Sequence, residues 1–276
     1  YGIDLYVAMG YKPCSANTLK NSPKGSYEKL FKEVSKALSN EKISRYSANE
    51  IRRMNSFRNE ESTRECKVCG RVDHLTAEDI CEYCDSFKRI SRDILNKSLE
   101  FVTVVEEKDK VKNCIKLPFD KYMLMEDEES LKHRAYTNES GYVRFYSKNK
   151  MYTGVNVATR LWVGDYSSES SFEALAKAST GIDKLGVLRA DVDNLGKTFI
   201  SGFKPERTSL SRTASFSRKL SMFFKLHINN ILENGEYMVD GSKPSKRNAT
   251  IVYSGGDDVF IVGAWDDVIG LAIDLS

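Results

Sequence analysis

The chain has 276 residues, of which 41% are hydrophobic and 29% charged, a balance that excludes a disordered chain and leaves room for one large domain or two ordinary ones. Lys and Arg number 42 against 39 Asp and Glu, and the net charge of +3 is too small to argue for a nucleic-acid partner. No run of about 18 apolar residues occurs, which excludes a membrane-spanning helix. The opening YGIDLYVAMGY reads as a buried strand and not as a basic-then-apolar leader, and the chain reads as a piece that starts and stops within something larger.

In residues 1–60 that strand is followed by the turn-rich GYKPCSANTLKNSPKGS and by a helix predicted over Tyr27–Leu38. Its apolar residues Tyr27, Leu30, Phe31, Val34, Ala37 and Leu38 follow the i, i+3, i+4, i+7 rule. Residues 61–100 carry two cysteine pairs and a second helix with Phe87, Ile90, Ile94 and Leu95 on one face. Residues 101–165 alternate the short β-like runs FVTVV, NCIKLP, YMLM and GYVRFYS with charged turns such as Glu126–Glu129, which predicts a small sheet acting as a spacer. Residues 166–276 read as a short helix (SFEALAKAS), a strand (LGVLRA), a helix beginning at DNLGKTF, and a long helix near Leu210–Leu232. Two strands (ATIVY, VFIVG) joined by SGGDD come next, then a helix from Asp266. This β-α-α-β-β-α order predicts an α+β, ferredoxin-like or palm-type layer, cut off where another strand should come. No internal repeat or low-complexity tract is present.

Four of the six cysteines form two CxxC pairs, Cys66/Cys69 and Cys81/Cys84. Two residues between cysteines let one tight turn aim both sulfurs at one metal, and thiolates are the commonest structural ligands of Zn²⁺. Gly70, just after the first pair, suits a turn that needs positive φ. In a reducing compartment the pattern reads as a closed Cys₄ zinc site, with a redox dithiol or a nucleic-acid-binding knuckle as alternatives. His74 lies in the gap as a spare ligand candidate, and Cys14 and Cys114 are singletons that suit small buried hydrophobes.

The second constellation is acidic. Residues 251–276 hold five Asp and no Lys or Arg, and carboxylates clustered at one turn need counter-charge unless they form a solvated surface. In Tyr253-Ser254-Gly255-Gly256-Asp257-Asp258, two glycines supply backbone freedom at a hairpin tip and leave no side chain between the backbone and an incoming phosphate. Adjacent carboxylates there are unfavourable unless a hard divalent cation neutralises them. In Ala190-Asp191-Val192-Asp193-Asn194-Leu195-Gly196 a strand runs into a helix. Asp191 and Asp193 share a side if the strand persists, and the helix N-terminus beyond offers N–H groups to a phosphate. Each motif by itself also has a plain reading, as a hairpin turn or a helix cap. Together they fit two divalent ions about 3.5–4 Å apart that activate an attacking hydroxyl and stabilise a leaving pyrophosphate. The three histidines sit in no catalytic set, and no Walker-type loop occurs.

SGGDD with ADVDNLG, preceded by CxxC…CxxC, resembles the large subunit of type III CRISPR effector complexes, of subtype III-A. The resemblance implies that residues 1–60 end a first palm, that 61–165 form a linker domain bearing a zinc ribbon, and that 166–276 are a second palm truncated at its C-terminal end. It implies that this palm converts ATP to cyclic oligoadenylates when target RNA binds the assembled complex. Asp257, Asp258 and Asp191 would be catalytic and would hold Mg²⁺ or Mn²⁺, with Asp193 a further metal candidate. Ser254, Gly255, Gly256, Asn194, Leu195 and Gly196 would bind the nucleotide, and Cys66, Cys69, Cys81 and Cys84 would hold structural zinc. Guide RNA, target RNA and the other subunits are the implied partners, with no membrane and a cytoplasmic location. No His-Asp dipeptide occurs, so the family's single-stranded DNA nuclease site is not in this chain. Two other readings stay open: a diguanylate-cyclase-like enzyme, although Val259 and Phe260 depart from GGDEF, and a catalytically silent zinc-stapled scaffold. The six Lys or Arg at 204–225 could serve that scaffold by contacting phosphates.

Overall fold

The structure, a computed structural model, describes residues 8–16, 26–54, 64–106, 114–117, 119–137, 141–154, 159–169, 171–204, 207 and 209–276. In chain order the elements are α1 (Ser26–Ile43), α2 (Ala48–Met54), β1 (Arg64–Glu65), β2 (Val72–Asp73), α3 (Glu82–Leu95), β3 (Phe101–Val105), β4 (Ile115–Leu117), β5 (Lys121–Glu126) and α4 (Glu128–Thr137). There follow β6 (Tyr142–Lys148), β7 (Thr159–Leu161), α5 (Phe172–Lys177), β8 (Leu185–Asp191), α6 (Leu195–Ser201), α7 (Leu210–Met222), a π-helical turn (Phe223–His227), α8 (Ile228–Glu233), β9 (Ala249–Ser254), β10 (Asp258–Ala264) and α9 (Trp265–Leu275). The chain divides into two compact units, Tyr1–Phe87 with Asp193–Ser217 and Lys88–Val192 with Arg218–Ser276. This division cuts across the three expected segments, because the cysteine pairs fall in one unit and the five-stranded sheet of the expected linker in the other.

In the first unit the strand expected at 1–11 lies mostly outside the described residues, and 8–11 carry no strand. The backbone at Gly10 instead presses on α1, where a Cβ would fall 2.6 Å from the Leu38 nitrogen. The helix predicted over Tyr27–Leu38 extends to Ile43, and Glu28 and Lys32 pair along its surface at 2.6 Å. A capping box opens α2: the Ser47 N–H donates to the Glu50 carboxylate at 2.8 Å and the Glu50 N–H to the Ser47 hydroxyl at 3.3 Å. The expected apolar stripe of α3 is only partly used, since Phe87 and Leu95 are exposed.

The second unit holds two sheets. The first has the order β4-β5-β3-β6-β7, antiparallel except for the parallel β6/β7 pair. Its core sets the rings of Phe101, Phe145 and Tyr152 edge to face, with centroids 4.8–6.2 Å apart, around Leu131. Leu131 belongs to α4, a helix where the sequence reading placed a charged turn. Its signals were Asp127, whose carboxylate accepts the Ser130 N–H at 2.8 Å as a cap, and an acidic first turn. The short β7 was also not foreseen.

The second sheet follows the predicted element order. It is antiparallel, ordered β8-β10-β9. Val259 and Ile261 of β10 and Ile251 of β9 bury against Phe224, Ile228, Leu232 and Leu271, with Leu188 and Ala190 of β8 packed beside them. Alternation therefore leaves Leu185, Val187, Arg189 and Asp191 exposed on the other side of β8. The single long helix expected at Leu210–Leu232 is widened by the π-helical turn, where the Ile228 N–H bonds the Phe223 carbonyl five residues back.

Candidate functional site

At the hairpin, strand register decides which carboxylates meet. Asp258, the first residue of β10, lies directly across from Asp191, the last of β8. The Val192 N–H donates to the Asp257 carbonyl at 3.1 Å, extending the pairing by one rung. The Gly255 N–H donates to the Asp258 carbonyl at 2.8 Å, so the turn itself is Gly256-Asp257. Like charges directly opposite on a ladder repel, and none of Asp191, Asp257 or Asp258 has an ion-pair partner among the described residues. This donor set of uncompensated, partly exposed carboxylate oxygens suits a hard divalent cation. The three do not close into one cluster, however: among the described residues only the cysteines form a group whose ligand atoms all lie within 4.8 Å of one another.

The two glycines have different roles, and neither adopts positive φ, contrary to the expectation of turn freedom. A Cβ on Gly256 would meet nothing within 4 Å, which leaves the tip open to a ligand. A Cβ on Gly255 would fall 2.5 Å from the Tyr253 hydroxyl and closer still to an Asp258 carboxylate oxygen. The phenol therefore lies close to that carboxylate, and the charge of Asp258, with burial and Asp257, raises the phenol above its ordinary pKa.

Ser254 stands on the opposite face from Tyr253. Its hydroxyl donates to the Phe224 carbonyl in the π-helical turn, so it ties the hairpin to the helix. Strand geometry ends at Asp191 and Asn194 turns left-handed at φ 56°, so the alternation expected to align Asp193 with Asp191 does not reach it. Asp193, Asn194, Leu195 and Gly196 belong to the other compact unit. Asn194 caps the short α6 through its carbonyl, which accepts the Thr198 N–H at 3.1 Å, without a side-chain cap.

The four paired cysteines converge as the spacing predicts. The β1/β2 hairpin presents Cys66 and Cys69, with Gly70 at φ 71° and its N–H on the Cys66 carbonyl at 2.8 Å. Cys81 closes an antiparallel bridge with Leu75 just before α3, and Cys84 lies in the first turn of that helix. The Cys69 and Cys81 sulfurs are 3.7 Å apart, too far for a disulfide and close to the edge of a tetrahedron with ~2.3 Å metal–sulfur bonds. Burial would raise the Cys66 thiol, but the N–H groups of Cys69, Cys81 and Val68 outweigh it and bring it down to about 6. Burial and the neighbouring sulfurs push Cys84 up to about 12. A metal bound by four such sulfurs would displace their protons, and its binding would add to folding stability. His74 stands outside the cluster.

Comparison with known proteins matches residues 184–276 to the second palm domain of Cas10/Cmr2 and residues 1–57 to domain B of the Csm1 subunit. The chain is 39% identical to a Cas10/Csm1 single-strand-specific deoxyribonuclease of a subtype III-A CRISPR system from Enterococcus italicus, over 98% of this chain and 34% of that protein. It is 38% identical to the Mycobacterium tuberculosis counterpart, over 98% of this chain and 36% of that one. Among solved structures it resembles the apo Csm1–Csm4 cassette, with a TM-score of 0.63 at 23% identity over 95% of this chain and 32% of that chain. The cassette in complex with cA3 gives a TM-score of 0.60 at 22% identity over the same 95% and 32%. At such identities the likeness is one of fold.

Proposed function

The chain belongs to the Cas10/Csm1 family of subtype III-A CRISPR systems and spans about a third of the length of the curated relatives it matches, and we propose that its GGDD hairpin is the nucleotidyl-transfer site of a second palm that makes cyclic oligoadenylates from ATP. The observation that carries this reading is the direct pairing of Asp191 with Asp258 beside an open Gly256-Asp257 tip. The cA3 complex of a structural neighbour supports it. Residues 1–60 are then the end of a first palm, 61–165 the linker and 166–276 the second palm. The four cysteines hold a structural zinc. Guide RNA, target RNA and the other effector subunits are the partners, and the location is cytoplasmic; no described helix is long and apolar enough to cross a membrane.

In this mechanism the 3′-hydroxyl of one adenylate attacks the α-phosphate of the next ATP, a P–O bond forms, and pyrophosphate leaves. Repetition lengthens the chain, and the last attack comes from its own 3′-hydroxyl and closes the ring. Asp191, Asp257 and Asp258 are the residues that would hold Mg²⁺ or Mn²⁺. Such ions, when bound, lower the pKa of the attacking hydroxyl and neutralise charge on the leaving group. The bare tip at Gly256 lets the triphosphate approach the backbone. Ser254 fixes the hairpin to the helix through the Phe224 carbonyl.

The test is the double substitution Asp257→Ala, Asp258→Ala in the full-length subunit, assembled with its partners, guide RNA and target RNA. With ATP and Mg²⁺ or Mn²⁺, products are identified by mass spectrometry. Turnover should fall about a thousandfold or more with assembly and zinc content intact. Retained turnover would make the hairpin a structural turn, cyclic diguanylate from GTP would favour the diguanylate-cyclase reading, and no nucleotide product from the wild type would favour the scaffold.

A further inference from the structure

Beside the hairpin, one polar side chain is built into the carboxylate set although no role was read for it in the sequence. Tyr253 precedes the SGGDD run and pairs across the ladder with Phe260. This puts it on the same sheet face as Asp258, two rungs off along the diagonal, a separation an aromatic side chain can bridge. Tyr253 is 52% exposed, so no core packing demands a tyrosine here. The hydroxyl nevertheless reaches back over Gly255 toward Asp258: the point a Gly255 Cβ would occupy lies 2.5 Å from the phenol oxygen and closer still to an Asp258 carboxylate oxygen. The missing Cβ of Gly255 makes that contact possible, because a side chain there would collide with both the phenol and the carboxylate. The glycine, the phenol and the carboxylate thus form one fitted arrangement.

We propose that Tyr253 is a positioning residue for Asp258, its phenol holding one carboxylate oxygen so that the other is aimed at a divalent cation. The inference rests on the nucleotidyl-transfer reading of the hairpin and deepens it. A carboxylate fixed in one orientation loses less freedom when a cation binds, and outer partners of metal ligands are worth about 10–100-fold in metal affinity.

The test uses Tyr253→Phe, which keeps the ring and removes the donor, and Gly255→Ala, which forces phenol and carboxylate apart. Both are made in the full-length subunit within the assembled complex. Mn²⁺ binding is followed by electron paramagnetic resonance, with the signal of the Asp257→Ala, Asp258→Ala complex subtracted to isolate the hairpin site. ATP turnover is titrated against Mn²⁺ in parallel. Both variants should bind Mn²⁺ about 10–100-fold more weakly. For Tyr253→Phe, the Mn²⁺ concentration at half-maximal turnover should rise by the same factor, with turnover at saturating Mn²⁺ and thermal stability close to wild type. A Tyr253→Phe complex whose Mn²⁺ binding and titration curve coincide with wild type overturns the inference. So does one that loses stability or maximal turnover with its Mn²⁺ dependence unchanged, since that is a structural role. If the double aspartate variant keeps its turnover, it is the nucleotidyl-transfer reading that falls. If that variant is dead and Tyr253→Phe titrates like wild type, only the role of Tyr253 falls.

Discussion

Arg247 shows at the level of one residue what the sequence conceals. It sits in a basic stretch that reads as surface, yet it is fully buried. Its guanidinium donates to the Tyr237 carbonyl at 2.8 Å, to the Asp267 carbonyl at 3.1 Å and to the Asp274 carboxylate. Gly235 packs so closely that a Cβ would stand 2.7 Å from the arginine Nε. Burial by itself would raise the Asp274 carboxyl, but Arg247 and the N–H groups of Tyr237 and Glu236 hold it below its ordinary value. A carboxylate with a depressed folded pKa stabilises the fold above the unfolded value of about 3.9, and that contribution is lost as pH falls through the folded value. Asp274→Asn removes the nearer counter-charge of the buried guanidinium and leaves Asp267 at 3.6 Å, so it should cost about 2 kcal/mol at neutral pH. The gap to wild type should close as pH falls below about 4. Denaturant melts at neutral and acid pH check this, and a pH-independent gap would remove Asp274 as the counter-ion.

At the scale of elements, local chemistry was legible where it was self-contained. Two CxxC pairs and Gly70 specify a sulfur cluster because each knuckle is closed by its own backbone hydrogen bonds, and SGGDD between two apolar runs specifies a hairpin. The charged turn expected at Glu126–Glu129 opens a helix instead, which the sequence hides because the one buried apolar residue of α4, Leu131, gives little periodicity. The cap at Asp127 and the sheet beneath Leu131 make it a helix. The cysteine element gives its own prediction. Cys81→Ser, or treatment with a strong chelator, should remove one zinc per chain and lower the melting temperature of the cysteine-bearing region, while Asp257 and Asp258 keep their register. Elemental analysis with a thermal melt decides the matter; unchanged zinc content and melting in Cys81→Ser would mean a misassigned site.

At the scale of the molecule, the second unit joins its two sheets through a buried polar network. The Asn149 and Asn229 amides each donate to the Val163 carbonyl at 2.9 Å and to the Asp165 carboxylate at 3.0 Å. Lys148, 6% exposed, lies 3.5 Å from Asp165 and donates to the Ile94 and Asn96 carbonyls at 2.6 and 3.0 Å. Burial lowers the Lys148 ammonium against the support of Asp165. Lys148→Ala strands the Asp165 charge and two carbonyls, so it should cost about 3 kcal/mol and loosen the coupling of the five-stranded sheet to the palm sheet. Hydrogen exchange should then show the two sheets opening at separate free energies. Unchanged exchange and stability would mean the network carries no coupling.

The sequence by itself determined the α+β class, the element order of residues 166–276, the cysteine cluster and the identity of the hairpin carboxylates, because each is written in short-range spacing and strand alternation. Only the tertiary structure decided that Asp258 faces Asp191, since register between strands far apart in sequence is set by the shared core under β8 and β10. The same long-range packing turned Ser254 toward the helix, ended β8 before Asp193, and buried Arg247 and Lys148. It also set the Tyr253 hydroxyl over a glycine, where a carboxylate could meet it.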